Sequence, residues 1–279
     1  MHISFFAVLL LNFFACSLDK PDNNLTGATP QYQSVKDSIA TAPVEPVDTL
    51  NVEKLAKTRT DSNSRVIYIT FDDGPLSPTS YLINIVHEKQ IKMSEFAVGM
   101  HALMNRSFMR SLDSMKHSAY IEVCNHSYSH AYSKYQKFYS NPNAAAQDII
   151  GNEDKLGLLT KVVRMPGRDI WATDSIKHGW SQSGGKTAAI LFDKGFKIYG
   201  WDMEWEHYSN SLPKQSPAQL VAIIDNLFKF KSSHTPNHVV FLGHDEMLAK
   251  EKGRQDLRQI IDMLKERGYI FEFITNYPR

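Results

Sequence analysis

The chain has 279 residues, of which 42% are hydrophobic, and this suits one large α/β domain or two small ones. Its 31 Lys and Arg residues nearly balance its 30 Asp and Glu residues, which leaves a formal charge of +1. That balance provides no general attraction to nucleic acid or to anionic lipid, so we expect no nucleic-acid partner and no charge-driven membrane binding.

The N-terminus is typical of an export signal. Residues 1–16 contain an apolar run that is too short to span a bilayer comfortably and that ends in a small residue before Cys16. The run resembles a bacterial lipoprotein signal, in which the cysteine is lipidated, although Phe13 and the absence of Lys or Arg before the run depart from that pattern. We predict an exported lipoprotein of a bacterial cell envelope that reaches the membrane only through its lipid anchor. A cleaved soluble form and a simple anchor are the alternatives.

Residues 17–63 are predicted to be a flexible linker, because they are rich in Asp, Asn, Ser, Thr and Pro and lack sustained periodicity. Residues 64–279 are predicted to form the globular domain. The second cysteine, Cys124, falls in a predicted strand and has no disulfide partner if Cys16 carries lipid. We interpret Cys124 as a small buried thiol rather than a nucleophile.

From residue 65 onward, short β-rich runs alternate with longer amphipathic segments. Strands are predicted at 66–71, 93–98, 119–124, 161–166, 196–202, 238–243 and 269–275, and helices at 78–90, 105–117, 144–158, 186–195, 217–230 and 254–268. The segment Gly184-Gly185-Lys186-Thr187 is assigned to a helix start, because it lacks the glycine spacing of a phosphate-binding loop and follows no strand. This strict alternation predicts an α/β fold, a distorted or incomplete (β/α) barrel of about seven parallel strands, with an open doubly wound sheet as the alternative.

In a (β/α) barrel, functional residues lie at the C-terminal ends of the strands. Five of the predicted strands end in ionisable residues, while the strands themselves are almost free of charge. These ends are Asp72-Asp73, the segment 125–130, the segment 164–168, the segment 201–207 and the segment 242–245.

The adjacent carboxylates Asp72 and Asp73 repel each other unless a cation lies nearby, and a bound cation allows one to bind metal while the other performs acid/base chemistry. A plain Asp-Gly turn is the alternative. His126 and His130 are four residues apart, which on a single helical turn lets both imidazoles reach one ion. With Asp73 they make a two-His, one-carboxylate set that suits zinc or another divalent first-row metal. Two surface histidines would give the same spacing.

Two further residues are predicted at the same mouth. His244 follows an apolar strand and is a candidate general acid, with a core-edge histidine as the alternative. Arg164 closes its strand and is expected to pair with Asp72 and fix that carboxylate's charge, with an unpaired surface cation as the alternative.

The segments Thr70-Phe71-Asp72-Asp73-Gly74-Pro75, His126-Ser127-Tyr128-Ser129-His130, Arg164-x-Pro166 and Leu242-x-His244 resemble the successive motifs of polysaccharide deacetylases of the NodB homology type, a group of carbohydrate esterases. The resemblance covers about residues 65–275. It implies a distorted (β/α) barrel and a metal-dependent hydrolase that removes acetyl groups from N-acetylated polysaccharides. It also implies zinc, with cobalt, nickel or manganese as alternatives. The roles that it implies are a general base at Asp72, metal ligands at Asp73, His126 and His130, a general acid at His244 and a partner for Asp72 at Arg164.

Two of these motifs depart from the family pattern. Met165 and Gly167-Arg168 flank Pro166 where the family usually has Pro and an aromatic residue, although the Gly167 N–H remains available for an oxyanion. The acid that usually orients the catalytic histidine is Glu204, beside Trp205, or Asp202, or is absent. These departures motivate an alternative, a glycan-binding protein that retains fold and metal without turnover. A third possibility is an O-acetyl ester hydrolase acting on a polysaccharide.

The stretch 131–143 follows the histidine pair and is rich in aromatic residues. Its rings are predicted either to stack on sugar faces at the mouth or to pack as a loop cover. The aromatic residues are Tyr132, Tyr135, Phe138 and Tyr139.

Overall fold

The structure, a computed structural model, describes residues 53–278. The predicted signal with Cys16 and most of the predicted linker lie outside this range, so both stay predictions. Within residues 53–278, no helix combines the length and the apolar character that crossing a bilayer requires.

This range contains ten strands and eight α-helices. The strands are β1 (Val66–Asp72), β2 (Met93–Ala97), β3 (Ile121–Asn125), β4 (Val162–Val163), β5 (Trp171–Ala172), β6 (Lys177–His178), β7 (Lys197–Ile198), β8 (Met203–Glu204), β9 (His238–His244) and β10 (Ile270–Phe271). The helices are α1 (Thr79–Lys89), α2 (Gly99–Ala102), α3 (Arg106–Lys116), α4 (Tyr135–Tyr139), α5 (Pro142–Leu156), α6 (Gly185–Asp193), α7 (Pro217–Phe230) and α8 (Glu251–Glu266).

The strands form one curled sheet in the order β6-β5-β7-β4-β3-β2-β1-β9-β8, and β10 pairs with the start of β1. All pairs are parallel except those that β5 makes with β6 and with β7. Among the described residues, β6 and β8 do not pair with each other, so the barrel is incomplete. This confirms the predicted α/β fold with a distorted barrel of mostly parallel strands.

Side chains of β1 alternate between two environments, as the pleat of a strand requires. Ile67, Ile69 and Phe71 pack outward against a cluster that includes α1, α7 and α8. Val66 and Tyr68 belong to a separate cluster inside the barrel. Asp72 follows this inward series and therefore points into the barrel at its C-terminal end. The burial of all seven residues of β1 explains why charge appears only at its last position.

The predicted strand 196–202 is wrong in extent, because only β7 falls within it and a separate strand, β8, begins just after it. β7 pairs with β4, whereas β8 pairs with β9 and forms the opposite edge of the sheet. Between them, a Cβ at Gly200 would overlap the Asp169 carboxylate, which also accepts a hydrogen bond from the Trp201 N–H at 3.1 Å. This close approach redirects the backbone across the barrel.

The last part of the predicted linker contacts the domain. Lys54 Nζ donates to the carbonyl of Lys116 at 2.9 Å, and the Thr58 N–H donates to the Glu272 carboxylate at 2.6 Å. The buried Lys92 ammonium bridges Glu272 and the carbonyl of Ala56. Residues 54–58 thus form a strap against the barrel, and the remainder of the linker prediction stays untested.

Two local predictions are confirmed. Cys124 is a buried free thiol inside the barrel, where burial raises its pKa well above the usual value and removes it as a nucleophile. The segment 184–187 opens helix α6, which begins at Gly185.

Candidate metal centre

Three predicted ligands converge at the C-terminal ends of β1 and β3. One donor atom from each of Asp73, His126 and His130 can be chosen so that all three lie within 4.8 Å of one another. His130 Nε2 lies 3.0 Å and His126 Nε2 lies 3.6 Å from Asp73 Oδ1. His126 is buried, whereas Asp73 and His130 are partly exposed, so the cluster faces an accessible mouth.

The interpretation of residues 126–130 as one helical turn is wrong, because a loop brings the two imidazoles together. Ser127 has a φ of 69°, and its N–H donates to Asn125 Oδ1 at 2.8 Å. Asp148 on α5 accepts the next two backbone N–H groups of the loop, at 3.0 and 3.1 Å. Side chains outside the segment therefore hold the two histidines in register.

His130 begins a left-handed turn. Residues 130–133 all have positive φ angles, between 48° and 55°, and none of them is glycine. The left-handed region costs non-glycine residues roughly 1–2 kcal/mol each, and such strain concentrates at functional sites. This turn sets the position of the His130 ring and exposes the side chain of Tyr132.

The imidazole of His126 is oriented by a hydrogen bond from its Nδ1–H to the carbonyl of Arg164 at 2.8 Å. With the proton on Nδ1, the lone pair of Nε2 is free and faces Asp73, which is the arrangement of a metal-binding histidine. Burial lowers the pKa of His126, so the neutral, ligand form is favoured.

The charges around Asp73 and His130 support each other. Burial opposes the charged form of both groups, but the hydrogen bond and charge of His130, together with the charges of His126 and His244, hold the pKa of Asp73 well below its usual range. In the same way, Asp73 and Asp72 outweigh burial and raise the pKa of His130. Two imidazole nitrogens and one carboxylate fit a divalent first-row ion, which would replace the proton at His130.

Arg164 pairs with Asp72, as predicted. Its Nη1 donates to Asp72 Oδ1 at 2.9 Å and to Thr70 Oγ1 at 2.7 Å. The guanidinium is completely buried and stacks over the Phe96 ring at 4.3 Å. Because Oδ1 is occupied by Arg164, Asp72 Oδ2 is the atom that faces the cluster, 3.5 Å from His126 Nε2.

His244 ends β9 in direct register with Asp72 on β1, so both side chains reach the same rim. Among the described residues, its buried Nδ1 has no hydrogen-bond partner. The ring of His207 lies edge-on at 5.5 Å between centroids, and His207 is itself held by Glu246 at 3.1 Å. An imidazole therefore occupies the position beside His244 where an orienting carboxylate was expected.

The residues considered for that orienting role lie elsewhere. Asp202 Oδ1 accepts from the ring of His234 at 2.8 Å, and its Oδ2 accepts from the Val240 N–H at 2.8 Å, so Asp202 is engaged below the rim. Trp205 is fully buried in the outer core. The half-buried Glu204 lies in register with the buried Leu242, on the inner face of the sheet.

Gly167 is exposed and has a φ of 62°, which favours glycine. A Cβ there would lie 3.0 Å from the ring of Tyr135, so the missing side chain makes room for an aromatic ring from the 131–143 stretch. Tyr135 also meets the His130 ring edge-on at 5.8 Å. The Tyr139 hydroxyl is buried and bonds to the carbonyl of Pro166 at 2.9 Å, as expected of a packed loop cover, whereas stacking on sugar faces stays a prediction.

Sequence reasoning missed His101 and Glu95 near the cluster, and it placed Asp245 at a strand end without giving it a role. His101 on α2 donates from Nδ1 to the carbonyl of Asp73 at 2.7 Å. Glu95 and Asp245 are buried carboxyl groups directly behind the Asp72-Asp73 turn. The only sequence signal for Glu95 is that it is the single charged residue inside the otherwise uncharged strand β2.

Comparison with known proteins gives a consistent match. Residues 59–172 match the family model for polysaccharide deacetylase. A peptidoglycan-N-acetylglucosamine deacetylase from Bacillus cereus is 25% identical over 238 residues, covering 80% of this chain and 74% of that protein. A chitin disaccharide deacetylase from Vibrio alginolyticus is 23% identical, covering 81% of this chain and 74% of that protein. The structure of a CE4 esterase from Streptococcus mutans matches with a TM-score of 0.58 and 22% identity, covering 76% of this chain and 86% of that one.

Proposed function

We propose that this chain, which carries a polysaccharide deacetylase domain, is a metal-dependent hydrolase that removes acetyl groups from an N-acetylated polysaccharide of the cell envelope or the environment. The observation that supports this best is the convergence of Asp73, His126 and His130 beside an Asp72 held by Arg164. Together with His244, which lies in register with Asp72, these residues would supply a metal site, a general base and a general acid.

A divalent ion held by Asp73, His126 and His130, with zinc as our first choice and cobalt, nickel or manganese as alternatives, would polarise the acetyl carbonyl and lower the pKa of an attacking water. The chain's own residues then handle the protons. Asp72 is the general base, and Oδ2 is the atom that accepts the water proton, because Arg164 occupies Oδ1. Arg164 holds that carboxylate in place between turnovers.

In this mechanism the water oxygen forms a bond to the acetyl carbon, and the Gly167 N–H donates to the oxygen that gains negative charge. His244 donates a proton to the sugar nitrogen as the C–N bond breaks. One water and one amide thus yield a free amine and acetic acid, which ionises to acetate, and the proton taken up by Asp72 restores the one that His244 gave. Base and acid each contribute on the order of 10²–10⁴ in rate.

The test is acetate release from N-acetylated glycans by the purified domain, before and after chelation and after metal is restored. We expect chelation to abolish release and zinc to restore it. Asp72→Asn and His244→Ala should each lower the rate by about 10²-fold or more. Asp113→Asn and His117→Ala, exposed on or just beyond α3, are matched controls that should leave it unchanged. Release that is indifferent to chelation, or that survives both site variants, contradicts the mechanism.

The second candidate, a glycan-binding protein without turnover, is supported by the unpartnered Nδ1 of His244 and by the engagement of Asp202 elsewhere. It predicts glycan binding with no acetate release from any glycan at any metal loading. The third candidate, an O-acetyl esterase, predicts faster acetate release from O-acetylated than from N-acetylated sugars. Parallel assays on both substrate types separate all three.

We also propose that the chain is exported and anchored through lipid on Cys16, and that it has no nucleic-acid partner. The composition of residues 1–16 supports the anchor. In a bacterial host, Cys16→Ser should move the protein from the membrane fraction to the soluble envelope fraction. An unchanged distribution contradicts the lipid anchor.

A further inference from the structure

A second pair of carboxyl groups lies behind the candidate metal centre. Glu95 on β2 and Asp245 just after β9 are both fully buried. Both approach Gly74, the residue that follows Asp73: the Gly74 N–H donates to Glu95 Oε1 at 3.0 Å. A Cβ at Gly74 would overlap that oxygen and lie 2.8 Å from Asp245 Oδ2.

This pair lies on the helix side of the sheet, away from the proposed chemistry. Glu95 is in register with Phe71, which packs outward, and not with the inward-facing Asp72. The Thr79 hydroxyl at the start of α1 donates to Asp245 Oδ2 and accepts from the Leu76 N–H at 2.7 Å. The turn after β1 is therefore held from behind by β2, by α1 and by the residue after His244.

The electrostatics of this pair are unusual. The charged groups that face it are Asp72 and Asp73, both acidic, and no ion pair to Glu95 or Asp245 exists among residues 53–278. Glu95 Oε2 and Asp245 Oδ1 have no hydrogen-bond partner within the described residues. Burial and these neighbouring carboxylates raise the pKa of Glu95 well above its usual value, and burial raises the pKa of Asp245 to about 7.

We propose that Glu95 is a positioning residue, which accepts a hydrogen bond from the Gly74 amide and through it fixes the Asp72-Asp73 turn for metal binding. This inference rests on the proposed metal centre and adds residues to it that touch neither metal nor substrate. Glu95 supplies the acceptor that the buried Gly74 N–H needs.

The first experiment compares Glu95→Gln with Glu95→Leu by zinc affinity, measured by competition with a chromophoric chelator. Glutamine keeps an oxygen acceptor for Gly74 without charge, so we expect affinity within about threefold of the wild type. Leucine removes the acceptor, and we expect a loss of about 10–100-fold, the range for residues that orient metal ligands. Glu122→Gln, a buried glutamate in β3, is the matched control and should leave zinc affinity unchanged.

Thermal melts establish that each variant is folded. If Glu95→Leu does not fold, Gly74→Ala provides the second test, because its methyl group would displace Glu95 Oε1 and should weaken zinc binding similarly. Wild-type zinc affinity in a folded Glu95→Leu or Gly74→Ala protein overturns the proposal. So does a Glu95→Gln variant that loses as much affinity as Glu95→Leu.

Zinc affinity does not depend on turnover, so this test remains informative if the deacetylase assignment fails.

Discussion

Arg164 satisfies all of its guanidinium nitrogens inside the barrel. Besides the bonds to Asp72 and Thr70, its Nη2 donates to the carbonyl of Gly200 at 2.8 Å and its Nε to the carbonyl of Tyr199 at 3.2 Å. A lysine ammonium is a single point of charge and cannot reproduce this planar set of donors. The residue thus links the proposed base to the chain crossing between β7 and β8.

We therefore expect Arg164→Lys to lower kcat by about 10²-fold, because the base loses its fixed partner. The measurement is steady-state acetate release. Arg168→Lys is the matched control, since Arg168 bonds instead to Ser183 and to its own neighbour Gly167, and it should retain most of the activity. Equal losses in the two variants would contradict a specific role for Arg164.

At the opposite end of the barrel, His238 predicts a pH dependence of stability. Burial, with a smaller effect of Lys57, lowers the pKa of His238 to about 4, and the Tyr68 hydroxyl donates to its Nδ1 at 2.9 Å. Between pH 6.5 and 4, the unfolded chain binds a proton that the folded chain excludes. The free energy of unfolding should therefore fall as the pH drops through this window.

Allowing for partial solvent exposure, we expect His238 to contribute about 1–2 kcal/mol to this loss. Urea unfolding at pH 7.5 and pH 5 measures it. His238→Gln should reduce the difference between the two pH values, whereas His117→Gln on an exposed position should not. An unchanged pH dependence in His238→Gln would contradict this assignment.

At the scale of elements, the left-handed turn at residues 130–133 shows how a short segment escapes pattern-based prediction. A spacing of four fits a helical turn, and the sequence contains no glycine to announce positive φ angles. The convergence of His126 and His130 was therefore predicted for the wrong local reason. The Asn125 and Asp148 side chains that hold the loop come from a strand end and from a helix 18 or more residues further along the chain.

This turn gives a stability prediction with opposite signs at two alanines. Ala131 has a φ of 54°, so Ala131→Gly removes steric strain and should raise the free energy of unfolding by about 0.5–1 kcal/mol. Ala145 is equally buried but lies within α5, where glycine should cost about 1 kcal/mol. Urea denaturation measures both. Destabilisation by both substitutions would mean that the turn carries no strain.

Long elements were predicted well because each has a periodic buried face. The predicted helix 217–230 coincides with α7, whose start carries a capping box between Ser216 and Gln219. The two-residue strands β5, β6 and β8 were missed, because a ladder of two residues has no periodicity. Their pairing is decided by distant partners, as in the match of β8 with β9.

For the whole molecule, residues 54–58 act as a strap whose anchor is the buried Lys92–Glu272 pair, 2.9 Å apart. Lys92→Met leaves the Glu272 carboxylate buried without its cation, and such a loss costs about 3–5 kcal/mol. Lys89→Met, which breaks a partly exposed pair with Asp262, should cost less than about 1 kcal/mol. Urea denaturation gives both values. Equal losses of stability in the two variants would contradict the role of the Lys92–Glu272 pair as the anchor of the strap.

Site residues could be predicted from the sequence where they lie at the ends of strands. Residues whose role depends on contacts with distant parts of the chain could not. Asp72, Asp73 and His244 are found by reading where apolar runs stop. Glu95 was missed because it lies inside a strand and acts through the Gly74 amide. Its importance depends on the parallel pairing of β1 with β2, which sequence alone does not specify.

The unpaired edges β6 and β8 bear on how a polymer can be processed. A closed barrel has no free sheet edge, whereas β6 and β8 do not pair with each other in the part of the chain described. Under the proposed function, a glycan strand that lies across this open side could leave in both directions, so that attack would need no chain end. We expect internal residues to lose acetyl groups as readily as terminal ones, in a scattered pattern that mass spectrometry of partly digested oligosaccharides would reveal.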